Sequence, residues 1–266
     1  WGIRDLVAVL RLTWALVPDW KRHPLRAGHK PLPRRLLVAG GTGFIGRLLV
    51  RRLVADGDHV ILLARNPDKA RHLFGPHVVV VNSLDDLPAE LHLDGVVNLA
   101  GAPVIGLPWT KSRKRQLLQS RLQTTGDLLR LFQRLHQAPK VMLSASAIGF
   151  YGNRGDEPLG EGAGSQEIFM SEMCRQCEQL AAHAADDGVR PVLLRLGLVL
   201  GRQGGALPPL ARPVWFGLGS ILGSGRQWLS WVHVADVVDA IRHLLEAPEA
   251  EGPYNLTAPG PVRQRD

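Results

Sequence analysis

From residue 35 onward the chain alternates short apolar runs with longer amphipathic ones. Leu36–Ala39, His59–Ala64, Val78–Val81, Gly95–Leu99, Val141–Ser144 and Val192–Leu196 are rich in Val, Leu and Ile. Near-continuous apolar runs of this length read as strands buried on both faces. Between them, Phe44–Ala55 (closed by Gly57), Ser112–His136 and Glu167–Ala185 carry apolar residues at helical spacing. Strand–helix alternation predicts an α/β fold with a doubly wound parallel sheet. After Gly201 the pattern breaks. The stretch through Gly225 is rich in Gly, Pro and Trp and reads as loop. A strand at Trp231–His233, a helix at Ala235–Leu245 and a short strand at Tyr254–Leu256 follow.

The first 34 residues differ in kind. Leu6–Leu10 and Leu12–Val17 are apolar but broken by Arg11 and flanked by Arg4, Asp5 and Asp19. That is too short and too charged to span a bilayer. Lys21–Arg34 is rich in Pro, Arg, His and Gly, as linkers are. The segment is expected to be a basic helix and linker from a preceding domain, with peripheral contact to a membrane or partner through residues 1–35 as the alternative. The opening Trp fits a piece of a longer protein.

The net charge of +8 sits largely in this arm. Residues 1–35 hold eight Arg or Lys against two Asp, whereas the remainder carries 24 basic and 22 acidic side chains. A nearly neutral globule argues against nucleic-acid binding. Apolar residues make up 45% of the chain, enough for a sizeable core. Two cysteines, Cys174 and Cys177, imply no disulfide framework and a reducing, cytoplasmic setting. Their CxxC spacing falls inside a helix, which suits neither a redox pair nor, without two further ligands, a metal.

The strongest chemical signal is Gly40-Gly41-Thr42-Gly43-Phe44-Ile45-Gly46, which follows the first strand and opens the first helix. In that context Gly40 permits a tight turn, Gly43 lets the backbone approach a pyrophosphate, and Gly46 allows close helix packing. The helix N-terminus then offers free N–H groups to the phosphates. This is a Rossmann-type dinucleotide site. At the end of the second strand, where an acid would bind the ribose hydroxyl of NAD, the chain has Ala64-Arg65-Asn66. A guanidinium there suits a 2′-phosphate, with Lys69 or Arg71 assisting, so NADP(H) is the expected cofactor.

These motifs resemble the extended short-chain dehydrogenase/reductase superfamily, and within it the epimerase family proteins, NADP-dependent oxidoreductases of the epimerase/dehydratase kind. The resemblance runs from Leu36 to Val262. Beyond the glycine loop it rests on Val97-Asn98-Leu99-Ala100-Gly101, Trp109-Thr110, Ser120-Arg121-Leu122-Gln123-Thr124-Thr125, Ser144-Ala145-Ser146-Ala147, Gly223–Trp228 and Trp231–Asp236. It implies cofactor contacts at Ala64, Arg65, Leu99, Ala100, Gly101, Gln116, Arg121, Ser144 and Val199. Arg121 shares an otherwise apolar helical stripe with Leu117, Leu118, Thr125 and Leu128, and a buried Arg calls for an anion such as a phosphate. The family continues past the Asn255–Val262 segment, so a C-terminal substrate lobe is expected to be truncated here. The expected division is 1–34 helix and linker, 35–200 cofactor domain and 201–266 partial substrate lobe, with 231–256 returning to the cofactor domain.

The family's chemistry is incomplete. Its acid/base pair is Tyr-x-x-x-Lys, in which Lys lowers the Tyr pKa. Tyr151 is followed four residues on by Gly155, and Tyr254 by Ala258. If Glu178 matches the acid that follows the Lys, Met170 and Cys174 take the two places; a shift of one gives Phe169 and Met173. Ser146 remains, and Tyr151 is a candidate displaced acid; these are the catalytic candidates. His233 reads as a strand-end His rather than a base. Leu229 stands where sugar-nucleotide epimerases carry an Arg, which disfavours a nucleotide sugar despite nearby Arg226. Trp215, Trp228 and Trp231 suggest an apolar or aromatic small molecule. Two readings stand: an oxidoreductase or epimerase on an unidentified small molecule, or a non-catalytic NADP(H) sensor. A homodimer is left open.

Overall fold

A computed structural model describes residues 33–104, 108–215 and 224–264. The basic helix and linker expected over 1–34 thus lie outside the described residues, save for 33 and 34.

Seven strands form one parallel sheet: β1 (Arg35–Ala39), β2 (His59–Leu63), β3 (Val78–Val81), β4 (Gly95–Asn98), β5 (Val141–Ala147), β6 (Arg190–Leu196) and β11 (Gly252–Leu256). Their spatial order is β11-β6-β5-β4-β1-β2-β3, and every pair is parallel. Strand order reverses between β1 and β4, where the crevice outside the carboxyl ends of such a sheet lies. Alternation within β1 shows why both faces must be covered. Leu36 and Val38 face one core cluster with Leu49 and Leu53 of α1 (Phe44–Asp56) and with Val237, Ile241 and Leu244 of α6 (Val234–Glu246). Leu37 faces the other, with Leu128, Leu131 and Phe132 of α3 (Lys111–Arg134) and Ala181 of α4 (Phe169–Ala182). Each of these leucines contributes about 2 kcal/mol by leaving water.

Two elements depart from the sequence reading. Helix α2 (Pro67–Phe74) was not foreseen. Asn66 caps it by accepting the Lys69 N–H at 2.9 Å, and Pro67 occupies its first turn, where a missing N–H goes unnoticed. The loop expected from Gly201 also holds regular structure. β7 (Leu198–Gly201) and β8 (Gly204–Gly205) form a hairpin, and α5 spans Leu207–Trp215. Pro208 and Pro209 fall in the first turn of α5 and so do not break it. β10 (Trp231–His233) runs parallel to β7, and β9 (Trp228–Leu229) pairs antiparallel with β12 (Val262–Arg263).

Candidate functional site

The glycine loop is welded to the end of β4. Gly40 has φ +80°, and a Cβ there would stand 2.5 Å from the Leu99 carbonyl carbon and 2.7 Å from the Ala100 nitrogen. Only glycine meets both demands. Gly43 is the N-cap of α1 and offers no side-chain cap, and no acidic residue lies in the first turn. The first N–H groups of α1 are therefore left for an anion. Gly46 packs on the loop backbone itself, Cβ to Gly40 O being 2.3 Å. Thr42 lies half-buried and Gly43 exposed at this tip. The Phe44 ring turns away and is seated against Gly201, Gly204 and Gly205, tying the loop to the β7–β8 hairpin that carries Val199. Ile45 packs on the first core cluster, as does Val199. The contribution of Phe44 and Ile45 to a phosphate would come from the backbone.

Past β4, the segment Leu99–Ala102 is laced to α3. Asn98, buried, donates to Thr125 Oγ1 at 3.0 Å and accepts the Ala100 N–H at 3.2 Å. Ser120 Oγ accepts the Ala102 N–H at 3.0 Å. Arg121 lies over Gly101, a Cβ at which would stand 2.9 Å from the guanidinium carbon. It donates to the carbonyls of Leu117 at 2.8 Å and Ala102 at 3.1 Å, and it forms no ion pair among the described residues. Burial holds its pKa below the ordinary arginine value, opposed weakly by the two thiols and reinforced by Arg113. A half-buried cation without a carboxylate is suited to a phosphate. Asn98, Ser120 and Thr125 all stand in the motifs that carry the family resemblance, but sequence alone does not show that they brace this segment.

On the other side of β1, Ala64 is buried and donates its N–H to the Val81 carbonyl at 2.9 Å, which leaves Arg65 exposed at the C-terminal edge of the sheet. Arg71 pairs with Asp68 on the surface of α2. Gln116 is exposed and accepts a hydrogen bond from Arg113. The structure therefore brings together the glycine loop, Leu99, Ala100, Gly101 and Arg121, with Arg65 and Val199 on the flanks. Gln116 stands further out on α3.

Ser144 and Ser146 continue the row along β5. Ser144 is buried and in register with Asn98; Ser146 is half-buried and in register with Arg195 of β6. Ser146 Oγ donates to Glu178 Oε1 of α4 at 2.6 Å. Glu178 is gripped by Arg195 on both oxygens, Nε to Oε1 at 3.0 Å and Nη2 to Oε2 at 2.8 Å, with side chains only 8% and 5% exposed. The guanidinium lies over the Phe150 ring at 3.6 Å. Burial works against its charge, but the bonds to Glu178 and Tyr151 outweigh it and hold Arg195 above the usual arginine pKa. Tyr151 is 3% exposed; its hydroxyl accepts from Arg195 at 2.9 Å and donates to Asn255 Oδ1 at 2.7 Å. Glu178, Arg195 and Asn255 were not foreseen as partners, because they come from three separate strands and helices.

Of the residues that a match at Glu178 would put in the Tyr and Lys places, Met170 packs on Gly149 and Cys174 lies against Ser146; of those that a shift of one would put there, Phe169 meets the Trp109 ring edge-on at 5.7 Å and Met173 is buried. Burial raises the Cys174 pKa, and raises that of Cys177 to about 11, so both thiols stay protonated at neutral pH. Among the described residues no cluster of His, Cys, Asp and Glu could hold a metal ion, and no helix is long and apolar enough to cross a membrane.

The chain is similar to known proteins over most of its length. A model of the NAD dependent epimerase/dehydratase family matches residues 36–257. The chain is 39% identical over 232 residues to "Epimerase family protein YfhF" of Bacillus subtilis, covering 85% of this chain and 75% of that one. It is 38% identical to the chloroplastic SDR39U1 homolog of Arabidopsis thaliana, covering 85% of this chain and 66% of that one. A crystal structure of human epimerase family protein SDR39U1 with NADPH superposes with TM-score 0.75 at 33% identity, covering 86% of this chain and 76% of that one. A UDP-glucuronic acid 4-epimerase of Bacillus cereus, solved with NAD, shares the fold at 19% identity and TM-score 0.73. The chain belongs to the NAD dependent epimerase/dehydratase family.

Proposed function

We propose that this chain binds NADP(H) along the glycine loop and acts as an oxidoreductase or epimerase on a small molecule. The observation that carries the reading is the uncapped α1 N-terminus, whose loop abuts Leu99 and Ala100 next to the Gly101 that Arg121 covers, with exposed Arg65 past the end of β2. The Gly43 N–H closes the turn on the Gly40 carbonyl at 3.0 Å; the N–H groups of Phe44 to Gly46 would face the pyrophosphate, and Arg121 would add a fixed positive charge. Arg65 would grip the 2′-phosphate, a reading supported by the NADPH bound to the human relative. Leu99, Ala100 and Gly101 would form the floor beneath the cofactor, with Ser144, Gln116 and Val199 at its margins. Bound there, the nicotinamide would exchange two electrons with one carbon of the substrate.

Ser146 is the residue assigned to meet that carbon's oxygen. Tyr151 could act as an acid only by giving up its bond to Asn255. Leu229, standing in β9 where an Arg would grip a sugar nucleotide, supports a substrate of another kind. The sensor reading is favoured by one observation: Tyr151 and Tyr254 are followed four residues on by Gly155 and Ala258, so neither tyrosine has the Lys of the usual acid/base pair at its sequence spacing. We assign the cofactor to 35–200 and the start of a substrate lobe to 201–266, with 231–256 returning through β11, and place the protein in a reducing compartment on the strength of its two free thiols.

Arg65→Asp tests the cofactor assignment. NADPH affinity should fall about tenfold or more while NADH affinity holds or rises; unchanged selectivity would remove the 2′-phosphate role. Purified protein should oxidise NADPH with some member of a carbonyl library. Turnover that survives Tyr151→Phe would eliminate Tyr151 as the acid, and absence of turnover throughout would leave the sensor reading in place.

A further inference from the structure

Ser146 is held by a carboxylate that cannot turn away. Both Glu178 oxygens face Arg195, and Oε1 also receives the Ser146 hydroxyl hydrogen at 2.6 Å. Arg195 is itself fixed by the Tyr151 hydroxyl, the Glu161 carbonyl at 2.9 Å and the Phe150 ring. A carboxylate offers only acceptors, so in this pair the serine must donate. A hydroxyl has one hydrogen. With that hydrogen spent on Glu178, and with the protonated Cys174 thiol against it able to fill at most one lone pair, Ser146 has only acceptor capacity left for whatever occupies the crevice beside it.

We infer that the Glu178–Arg195 pair sets Ser146 as a hydrogen-bond acceptor, and that the site therefore takes a ligand with an O–H at the reacting carbon in preference to its carbonyl counterpart. The inference rests on the proposed crevice at the carboxyl ends of β4 and β5, because it assumes that the substrate oxygen meets Ser146. An alcohol can donate to Ser146 Oγ. A ketone oxygen brings lone pairs against lone pairs and gives the Ser146 oxygen no hydrogen to accept. Glu178 and Arg195 are positioning residues here; Ser146 alone would touch the substrate.

The test uses cyclohexanol and cyclohexanone as matched probes. Their binding is measured by saturation-transfer NMR on protein loaded with the redox-inert tetrahydro analogue of NADPH. The expected result is that cyclohexanol binds about tenfold tighter, the weight of one hydrogen bond gained against one lost. Ser146→Ala should bring the ratio close to one. Glu178→Gln, whose amide can donate to Ser146 and free the hydroxyl hydrogen, should shift preference toward cyclohexanone. If that variant fails to fold, Ser146→Ala decides alone. Equal or inverted preference in the unaltered protein, a ratio unchanged in Ser146→Ala, or no binding of either probe to loaded protein would overturn the inference. Failure of the NADPH analogue to bind would instead strike at the proposed cofactor site.

Discussion

At Gly46 an added methyl group would stand 2.3 Å from Gly40 O and 2.6 Å from Gly41 Cα, backbone atoms that cannot yield without moving the whole loop. At Gly101 the same methyl would stand 2.9 Å from the end of a flexible arginine side chain. The two substitutions should therefore separate stability from binding. Gly46→Ala is expected to cost about 2–3 kcal/mol, read as a fall in Tm. Gly101→Ala is expected to leave Tm within a few degrees while displacing the Arg121 guanidinium and weakening NADPH binding about tenfold. If NADPH affinity survives Gly101→Ala unchanged, Arg121 has no part in the cofactor site. The sequence shows why Arg121 stands out: a cation on an apolar helical stripe signals a missing anion. It gives no such signal for Glu178 and Arg195, because a buried pair assembled from α4 and β6 leaves no local pattern in either segment.

Strands β1, β2, β4, β5 and β6 are legible because each is a largely buried apolar run, and the α1, α3 and α6 helices because each carries a clear apolar stripe. The elements that escaped are those built on a cap or a contact. Helix α2 is signalled only by Asn66 and Pro67, directly after an Arg65 whose charge fits a phosphate contact equally well. Asn66→Ala should cost about 1 kcal/mol by removing the cap at Lys69 N, seen as a lower Tm; no change would mean that α2 is held by packing of Ala70 and Phe74 alone. The β7–β8 hairpin and α5 hide in a Gly/Pro-rich stretch. Gly201 and Gly204 are required by the Phe44 ring rather than by a loop, a Cβ at Gly204 standing 2.5 Å from Phe44 Cδ2, whereas Gly205, at φ +73°, also makes the turn. Composition alone cannot tell a glycine that makes a turn from one that makes room.

Across the whole molecule, buried polar groups tie the Rossmann sheet to the loop that follows β5. Arg195→Met leaves Glu178 buried without its partner and should cost about 3–5 kcal/mol, most of it recovered when Glu178→Leu is added. A second clasp lies at the surface. Asp156 accepts Trp228 Nε1 at 2.8 Å and pairs with Arg263, joining the loop to β9 and β12. The Trp228 N–H first, and then Arg263, hold the Asp156 carboxyl below its ordinary value of 3.8. A group with a depressed folded-state pKa stabilises above its unfolded pKa and loses that contribution as pH falls through the folded one. The clasp should therefore hold at neutral pH and release below about 3.8. Limited proteolysis in the loop should rise there by an acid-stable protease, and Asp156→Asn should abolish the pH step. In the proposed complex, a bend of bare backbone at the β1–α1 junction grips the two linked phosphates of NADP(H). Calorimetric titration of the intact chain with NADPH, in parallel with NADH, tests it most directly. The account predicts one NADPH per chain, bound at least tenfold tighter than NADH. No heat with either nucleotide would contradict it.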